Sequence, residues 1–494
     1  MLLGDEQKTV KFADVFARAL KPGDCVALYG DLGAGKSTFC RAIIRALAAD
    51  ENLEVPSPTF TLVQHYETVP AISHMDFYRL GGASEVEELG LDSALQIGVV
   101  LIEWPSKAEE MLPGDRINIT LSEVEHDPSA RQMHINAPQD FLQRLHRSQE
   151  IADFIVAAGF AEARRAPFSG DASARNYELL YIQNHELPLI LMDAPRQADG
   201  PAIYDGLPYS QVVHLAEDVR AFVAISTLLT DRGFCAPKII AHDIPNGLLL
   251  TQNLGAGKIV DGKNVPIADR YIAAAETLAV IHNQAWPNKV GLPDGSTHTI
   301  ARYDVRAMRM GLSLLPDWWG KENALTRDQA DALYSLWQPR FERFQEGYDD
   351  LIIRDYHSPN IIWRGDKHGV QRIGIIDHQD ALIGPGLYDV ASLVQDARTC
   401  VMPELQSAII DAYCAARART PDFDEAVVRA DIATLCAFRA SRLLGLWVRL
   451  DVRDGKPRFR QYVKQTKTYL AQALAHGSLN DLRGWYVSAG VIDG

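Results

Sequence analysis

The chain has 494 residues, 47 % of them hydrophobic and 23 % charged, and a formal net charge of −15. That length exceeds what one hydrophobic core organises, so two or three domains of soluble globular composition are expected. The net charge is −9 over residues 1–147 and −6 over 148–494, so neither part carries the basic footprint of a direct nucleic-acid binder. The N-terminal stretch lacks a basic region followed by a long apolar core, so no secretory signal is expected. The longest apolar runs, 98–102 and 188–192, are strand-length, which predicts no membrane span. Cys25, Cys40, Cys235, Cys400, Cys414 and Cys436 form no CxxC pair and have no metal-ligand spacing. They read as reduced thiols of a cytoplasmic protein.

In chain order, DCVALYGDLGAGKSTFCRAIIRAL predicts strand, glycine loop and helix. Gly30 to Ser37 fits G-x-x-x-x-G-K-[ST]. In that pattern glycines let backbone N–H groups approach phosphates, the lysine (Lys36) reaches the β/γ-phosphates, and the hydroxyl (Ser37) sits on Mg²⁺ at a helix N-terminus. ISHMDF reads as a strand ending at Asp76, and GVVLIE as a buried strand ending at Glu103. Two carboxylates at strand ends beside such a loop can bind the metal or position water. No arginine-rich lid segment follows, which argues against a small-molecule kinase of the shikimate or adenylate type. RINITLSEVEH and ARQMHINAP read as further strands, and PQDFLQRLHRS as a helix closing a P-loop ATPase domain over 1–147. A second helix, at IADFIVAAGF, is expected to open the next module.

GDLGAGKST, VPSPTFTLV, HMDFYRL, EELG and LIEWP, in that order, resemble the TsaE family, the ATPase subunit of bacterial tRNA threonylcarbamoyladenosine synthesis. The resemblance implies a P-loop fold with a mixed sheet and an ATPase that is weak alone and acts with the transferase subunits. It implies that Gly33, Ala34, Gly35, Lys36, Ser37 and Thr38 hold ATP, and that Ser37, Asp76 and Glu103 are the metal-site residues. It further implies a switch-like loop at Thr59, with Thr9 and Arg131 flanking the nucleotide.

Residues 148–255 read as strand, loop, strand, strand, a helix ended by Gly233, and two more strands leading to a hinge near Gln252–Gly255. This is the small sheet that covers ATP in kinase folds. The turn 168–175 is glycine-poor; it either sets backbone amides from Ser169 to Ser173 over phosphates or is an ordinary hairpin. Residues 256–494 read as mainly helical. His282 reads as a structural helix residue, and PDWWG as an aromatic surface or lid element whose Trp318–Trp319 pair stacks on a sugar or packs. The most informative stretch is Arg354–Asp377, an Asp, four residues, an Asn, then an apolar strand ending in Asp. In that pattern Asp355 orients and deprotonates an attacking hydroxyl, and Asn360 and Asp377 hold Mg²⁺ against ATP phosphates.

GDASARNY, LILMDAP, IRDYHSPN, GIIDHQDALIGPGLYDVASLVQDAR and RLLGLWVRL resemble the aminoglycoside-phosphotransferase-like superfamily, in particular the bacterial N-acetylmuramate/N-acetylglucosamine anomeric kinases. The implied fold class is an α/β P-loop NTPase domain followed by an α+β bilobal protein-kinase-like fold. The implied reaction moves the γ-phosphoryl of ATP to the anomeric hydroxyl of an amino sugar, a step of cell-wall recycling, with Asp389 bracing the catalytic loop. Ile353 stands where the family has histidine. Met192 and Asp193 stand where many kinases have the phosphate-binding lysine; Arg175 is the candidate replacement, with a solvent-exposed strand arginine as the alternative, and Ser173 in the preceding turn is a further nucleotide-binding candidate. Another alcohol or aminoglycoside kinase, or a regulatory pseudokinase, stays open. A carboxylate on the sugar would want a cation such as Arg398, Arg439 or Arg442.

Overall fold

The computed structural model describes the chain except residues 82–83, 169–174, 419–422 and 494. Two units divide it: Met1–Asp171 with Tyr177–Pro188, and Ala172–Asn176 with Leu189–Gly494. The first contains β1 (Leu2–Leu3), α1 (Glu6–Ala19), β2 (Cys25–Tyr29), α2 (Lys36–Ala48), β3 (Val63–Tyr66), β4 (Ile72–Asp76), α3 (Ser84–Glu88), α4 (Leu91–Ile97), β5 (Val99–Glu103), β6 (Ile117–Val124), β7 (Asp127–Asn136), α5 (Gln139–Ala157), β8 (Arg164–Phe168) and β9 (Asn176–Tyr181). Strands β1–β7 form one sheet in the order β1-β7-β6-β2-β5-β4-β3. β2 is parallel to β5 and β6, and β4 to β5, while β3, β7 and β1 add antiparallel edges.

Alternation along β2 explains why this strand is central. Val26 and Leu28 join a core with Phe16, Phe39 and Phe141, whereas Cys25 and Ala27 join the opposite core with Met75 and Phe77. A strand buried on both faces reads as an unbroken apolar run, as CVAL does. Helix α5 differs from expectation. It runs unbroken through the predicted boundary at 147/148, because its apolar spacing continues and Ser148 donates to the Val15 carbonyl (2.7 Å). The β8/β9 hairpin, read as the start of the kinase-like sheet, forms the first two strands of a five-stranded sheet. Arg18 holds it, donating to the Arg165 carbonyl (3.2 Å) and pairing with Glu178 (3.3 Å), which also pairs with Arg165 (2.8 Å).

The second unit contains β10 (Leu189–Asp193), β11 (Ala202–Tyr204), β12 (Leu207–Pro208), α6 (Tyr209–Val212), α7 (Val219–Asp231), β13 (Ile239–Asp243), β14 (Leu248–Thr251), α8 (Ala268–His282), β15 (Lys289–Gly291), β16 (Thr297–Thr299), α9 (Val305–Leu314) and α10 (Arg327–Gly347). It continues with β17 (Asp350–Ile352), β18 (Ile361–Trp363), β19 (Ile373–Ile375), β20 (Leu382–Gly384), α11 (Leu387–Val394), α12 (Pro403–Arg417), α13 (Glu425–Val452), α14 (Val463–Leu474) and α15 (Asn480–Ser488). β14 pairs antiparallel with both β10 and β13. Two small ribbons, β17/β20 and β18/β19, carry the stretch read as catalytic.

Helix α13 is the spine of the helical part. The segment PDWWG is no lid: Leu315–Gly320 continues α9 as a π-helical stretch packed on α13, and Trp319 is buried. The close approach is possible because α13 has Gly445 at the crossing, where a Cβ would lie 1.9 Å from the Leu314 carbonyl oxygen. His282 is buried and bonds Tyr413 (2.9 Å), a structural histidine as expected. Backbone cannot rotate away as a side chain can, so Gly445→Ala is expected to cost about 1–3 kcal/mol or more. Urea unfolding of the second unit's transition would measure it.

Candidate active sites

In the first unit the loop between β2 and α2 needs its glycines. Gly30 has φ 141°, and a Cβ there would lie 2.3 Å from the Leu121 carbonyl oxygen. Gly33 and Gly35 have φ 82° and 102°. Lys36 is buried, donates to the Gly30 and Asp31 carbonyls (2.7 and 2.9 Å) and lies 3.8 Å from the Trp104 ring centroid. Burial holds its pKa below the ordinary lysine value, against the pull of Glu103 and Asp76. Ser37 donates to Glu103 (2.7 Å), and His74 bonds the other Glu103 oxygen (3.0 Å). Asp76 and Glu103 are register partners on β4 and β5, so their carboxylates emerge side by side. Thr59 donates to Asp76 (2.8 Å). Hydroxyl and carboxylate oxygens grouped at a helix N-terminus fit a Mg²⁺–triphosphate.

Arg131, on β7, donates to the Ala34 and Gly33 carbonyls (3.1 and 3.3 Å). Thr9 gives its hydroxyl to the Asp5 carbonyl (3.1 Å) within α1, and no hydrogen bond joins it to residues 30–38 among the described residues.

In the second unit one buried carboxylate shapes the other site. Asp389, on α11, accepts the backbone N–H of Ile353 (2.6 Å) and of Arg354 (2.8 Å). Arg354 has φ 78°, a left-handed conformation that costs a non-glycine residue of order 1–3 kcal/mol and needs fixing from outside. Burial pushes the Asp389 carboxyl up to about 8, although the two N–H donors pull it down. The brace therefore does what the missing histidine does not: Ile353 is simply core, with its N–H on Asp389. The loop's far side is held by Asp396, which accepts from the Ser358 N–H (2.7 Å) and the Tyr271 hydroxyl (2.9 Å).

Asn360 donates to the Asp355 carbonyl (3.0 Å) and to Asp377 (3.3 Å). Both contacts are made by the amide nitrogen, and the amide oxygen is the hard-oxygen donor that Asn360 has to offer. The donor set is hard oxygen and fits Mg²⁺. Arg175 lies 3.7 Å from Asp377, so the candidate cation is brought to the candidate metal carboxylate. Ser173 and its turn lie outside the described residues. Met192 is buried in β10.

Three groups escaped the sequence reading. His74 shares a strand face with Asp76, as i and i+2, and alternation could have found it. Gln379, two residues beyond Asp377, donates to it (2.7 Å). Trp104 reaches Lys36 only through φ 58°, which sequence does not signal.

The first site belongs to the P-loop NTPases and the second to the protein-kinase-like phosphotransferases. Residues 3–133 match the family described as threonylcarbamoyl adenosine biosynthesis protein TsaE, and residues 164–429 the phosphotransferase enzyme family. The N-acetylmuramate/N-acetylglucosamine kinase of Caulobacter vibrioides is 33 % identical over 349 residues, 68 % of this chain and 94 % of that protein. The protein of that name from Pseudomonas aeruginosa is 28 % identical, over 66 % of this chain and 89 % of its own. The tRNA threonylcarbamoyladenosine biosynthesis protein TsaE of Rickettsia felis is 39 % identical over 148 residues, 29 % of this chain and 86 % of that protein. The chain belongs to both families, an ATPase module followed by a phosphotransferase module. Among the described residues no helix is long and apolar enough to cross a membrane.

Asp389→Asn keeps the shape but offers one acceptor oxygen for two N–H groups, and is expected to cost about 1–3 kcal/mol by chemical denaturation. Sign and window follow from the raised pKa: between 3.8 and about 8 the folded chain holds a proton that the unfolded chain releases. Wild-type stability relative to the Asn variant should therefore fall as pH rises through that window.

Proposed function

We propose that the chain is bifunctional. Its first module is the ATPase partner of the transferase subunits that make threonylcarbamoyladenosine in tRNA. Its second phosphorylates the anomeric hydroxyl of N-acetylmuramate or N-acetylglucosamine, feeding cell-wall recycling. The observation that carries the second reading is the braced Asp355–Asn360–Asp377 constellation, in a module that spans nearly all of a kinase of that name.

In this reading Asp355 takes the proton of the sugar hydroxyl as its oxygen bonds the γ-phosphorus and the bond to ADP breaks. Asn360 and Asp377 hold Mg²⁺, and Arg175 supplies the cation that Met192 does not. Bound Mg-ATP supplies the phosphoryl group and the neutralisation of its charge; the protein's share is positioning and electrostatics. In the first module Gly33–Thr38 cradle the triphosphate, Ser37, Asp76 and Glu103 hold the metal, and Arg131 keeps the loop in shape. The acidic surface agrees with an ATPase that leaves RNA to its partners.

The pseudokinase alternative rests on Met192 alone, and the Arg175–Asp377 approach weakens it. Asp355→Asn should lower sugar phosphorylation at least about 100-fold while the P-loop ATPase persists. Lys36→Ala should remove the P-loop hydrolysis and leave sugar phosphorylation intact. ³¹P NMR of the Lys36→Ala protein with Mg-ATP and either N-acetyl sugar reads the product directly. An acid-labile sugar 1-phosphate supports the proposal, whereas phosphorylated kanamycin or no ester at all would overturn it.

A further inference from the structure

Helix α13 carries Arg429, Arg439, Arg442 and Arg449. Arg429 pairs with Asp411 (2.6 Å) and Glu425 (2.7 Å). Arg439 is buried and donates to the Gln395 carbonyl (2.8 Å). Arg442 and Arg449 are different. They are two turns apart, hence on one face of the helix, both are half-buried, and neither forms an ion pair with a carboxylate within 4 Å among the described residues.

Their surroundings are aromatic and hydroxylic. Arg442 faces Tyr209, Tyr303 and Tyr388, and within electrostatic reach its carboxylate is that of Asp355. Tyr303 and Tyr388 are buried, with ring centroids 5.7 Å apart. Arg449 lies over Tyr209, with its guanidinium carbon 5.7 Å from that ring's centroid, and its Nε is buried with no hydrogen-bond partner. Burial would raise the Tyr209 phenol, yet Arg442, Arg449 and Arg354 together hold its pKa below the ordinary value. Arg354 is otherwise engaged: it donates to the Val213 carbonyl (2.9 Å) and has Asp380 nearby. What is left is two half-buried positive charges on one helix face, Arg442 within electrostatic reach of the proposed base Asp355 and Arg449 of Asp454, with Tyr209 in reach of both. Half-buried cations favour a counter-charge, and the reach of Arg442 to Asp355, the proposed base for the acceptor hydroxyl, suits one carried by the acceptor.

We propose that Arg442 and Arg449, with Tyr209, form a subsite that binds a carboxylate on the sugar acceptor and so sets a preference for N-acetylmuramate over N-acetylglucosamine. This rests on the kinase reading above. The two sugars share the anomeric hydroxyl and the acetamido group, and differ by the lactyl ether that bears the carboxylate. A guanidinium–carboxylate contact is the strong form of such recognition.

The test compares kcat and KM for N-acetylmuramate, its methyl ester and N-acetylglucosamine, in the full chain and in Arg442→Gln, Arg449→Gln and Arg442→Lys. For N-acetylmuramate each Gln variant should lose on the order of 10- to 100-fold in kcat/KM, mainly through KM. N-acetylglucosamine and the ester should change little, and Arg442→Lys should recover part of the loss. N-acetylglucosamine turnover serves as the control for folding. An equal loss on both sugars, or no loss on N-acetylmuramate, would overturn the subsite while leaving the kinase reading in place. Wild-type protein that phosphorylates neither sugar would overturn both.

Discussion

Two backbone N–H groups on one buried carboxylate set the geometry of the kinase-like module. Asp389 holds Ile353 and Arg354 at the point where the chain turns through a left-handed residue, and Asp355 follows immediately. Without that contact the turn has no reason to persist, since an arginine gains nothing locally from positive φ. Asp396 does the corresponding work at Ser358, and Asn360 ties the loop to Asp377. The apolar helices beneath bury the two aspartates, and so make their hydrogen bonds hard to exchange for water.

The two modules solve phosphate chemistry in different ways. The first uses backbone: a glycine loop, a helix N-terminus, and strand-end carboxylates made neighbours by parallel register. The second uses side chains on short ribbons and a loop, where each position must be fixed separately. That difference shows in the number of supporting contacts. Asp377 is touched by Asn360, Gln379 and Arg175, and itself sits at φ 56°.

Charge tells a similar story at two scales. The chain carries a formal net charge of −15, with an acidic balance in both modules. Locally, α13 brings Arg442 within electrostatic reach of Asp355, a placement that net charge conceals. Arg429, near the start of that helix, and Arg453, just past its end, pair with carboxylates.

The P-loop, the strand-end acids and the Asp–Asn–Asp spacing were legible in the sequence because each is a short, local pattern whose chemistry demands fixed residue types at fixed offsets. Secondary structure around them was legible for the same reason, since period-2 and helical spacing are local. The sequence thereby determined both modules and their order. Only tertiary structure decided that α5 runs through the expected boundary, because helix continuity there depends on packing against α1. Only it made PDWWG a packed π-helical turn rather than a surface or lid element, since that required Gly445 from a helix more than a hundred residues away. The same holds for the partners of Glu103 and for the separation of Arg442 and Arg449 from Arg439: identical side chains acquire different roles from what the fold puts opposite them, and long-range contacts leave no periodic trace in a chain.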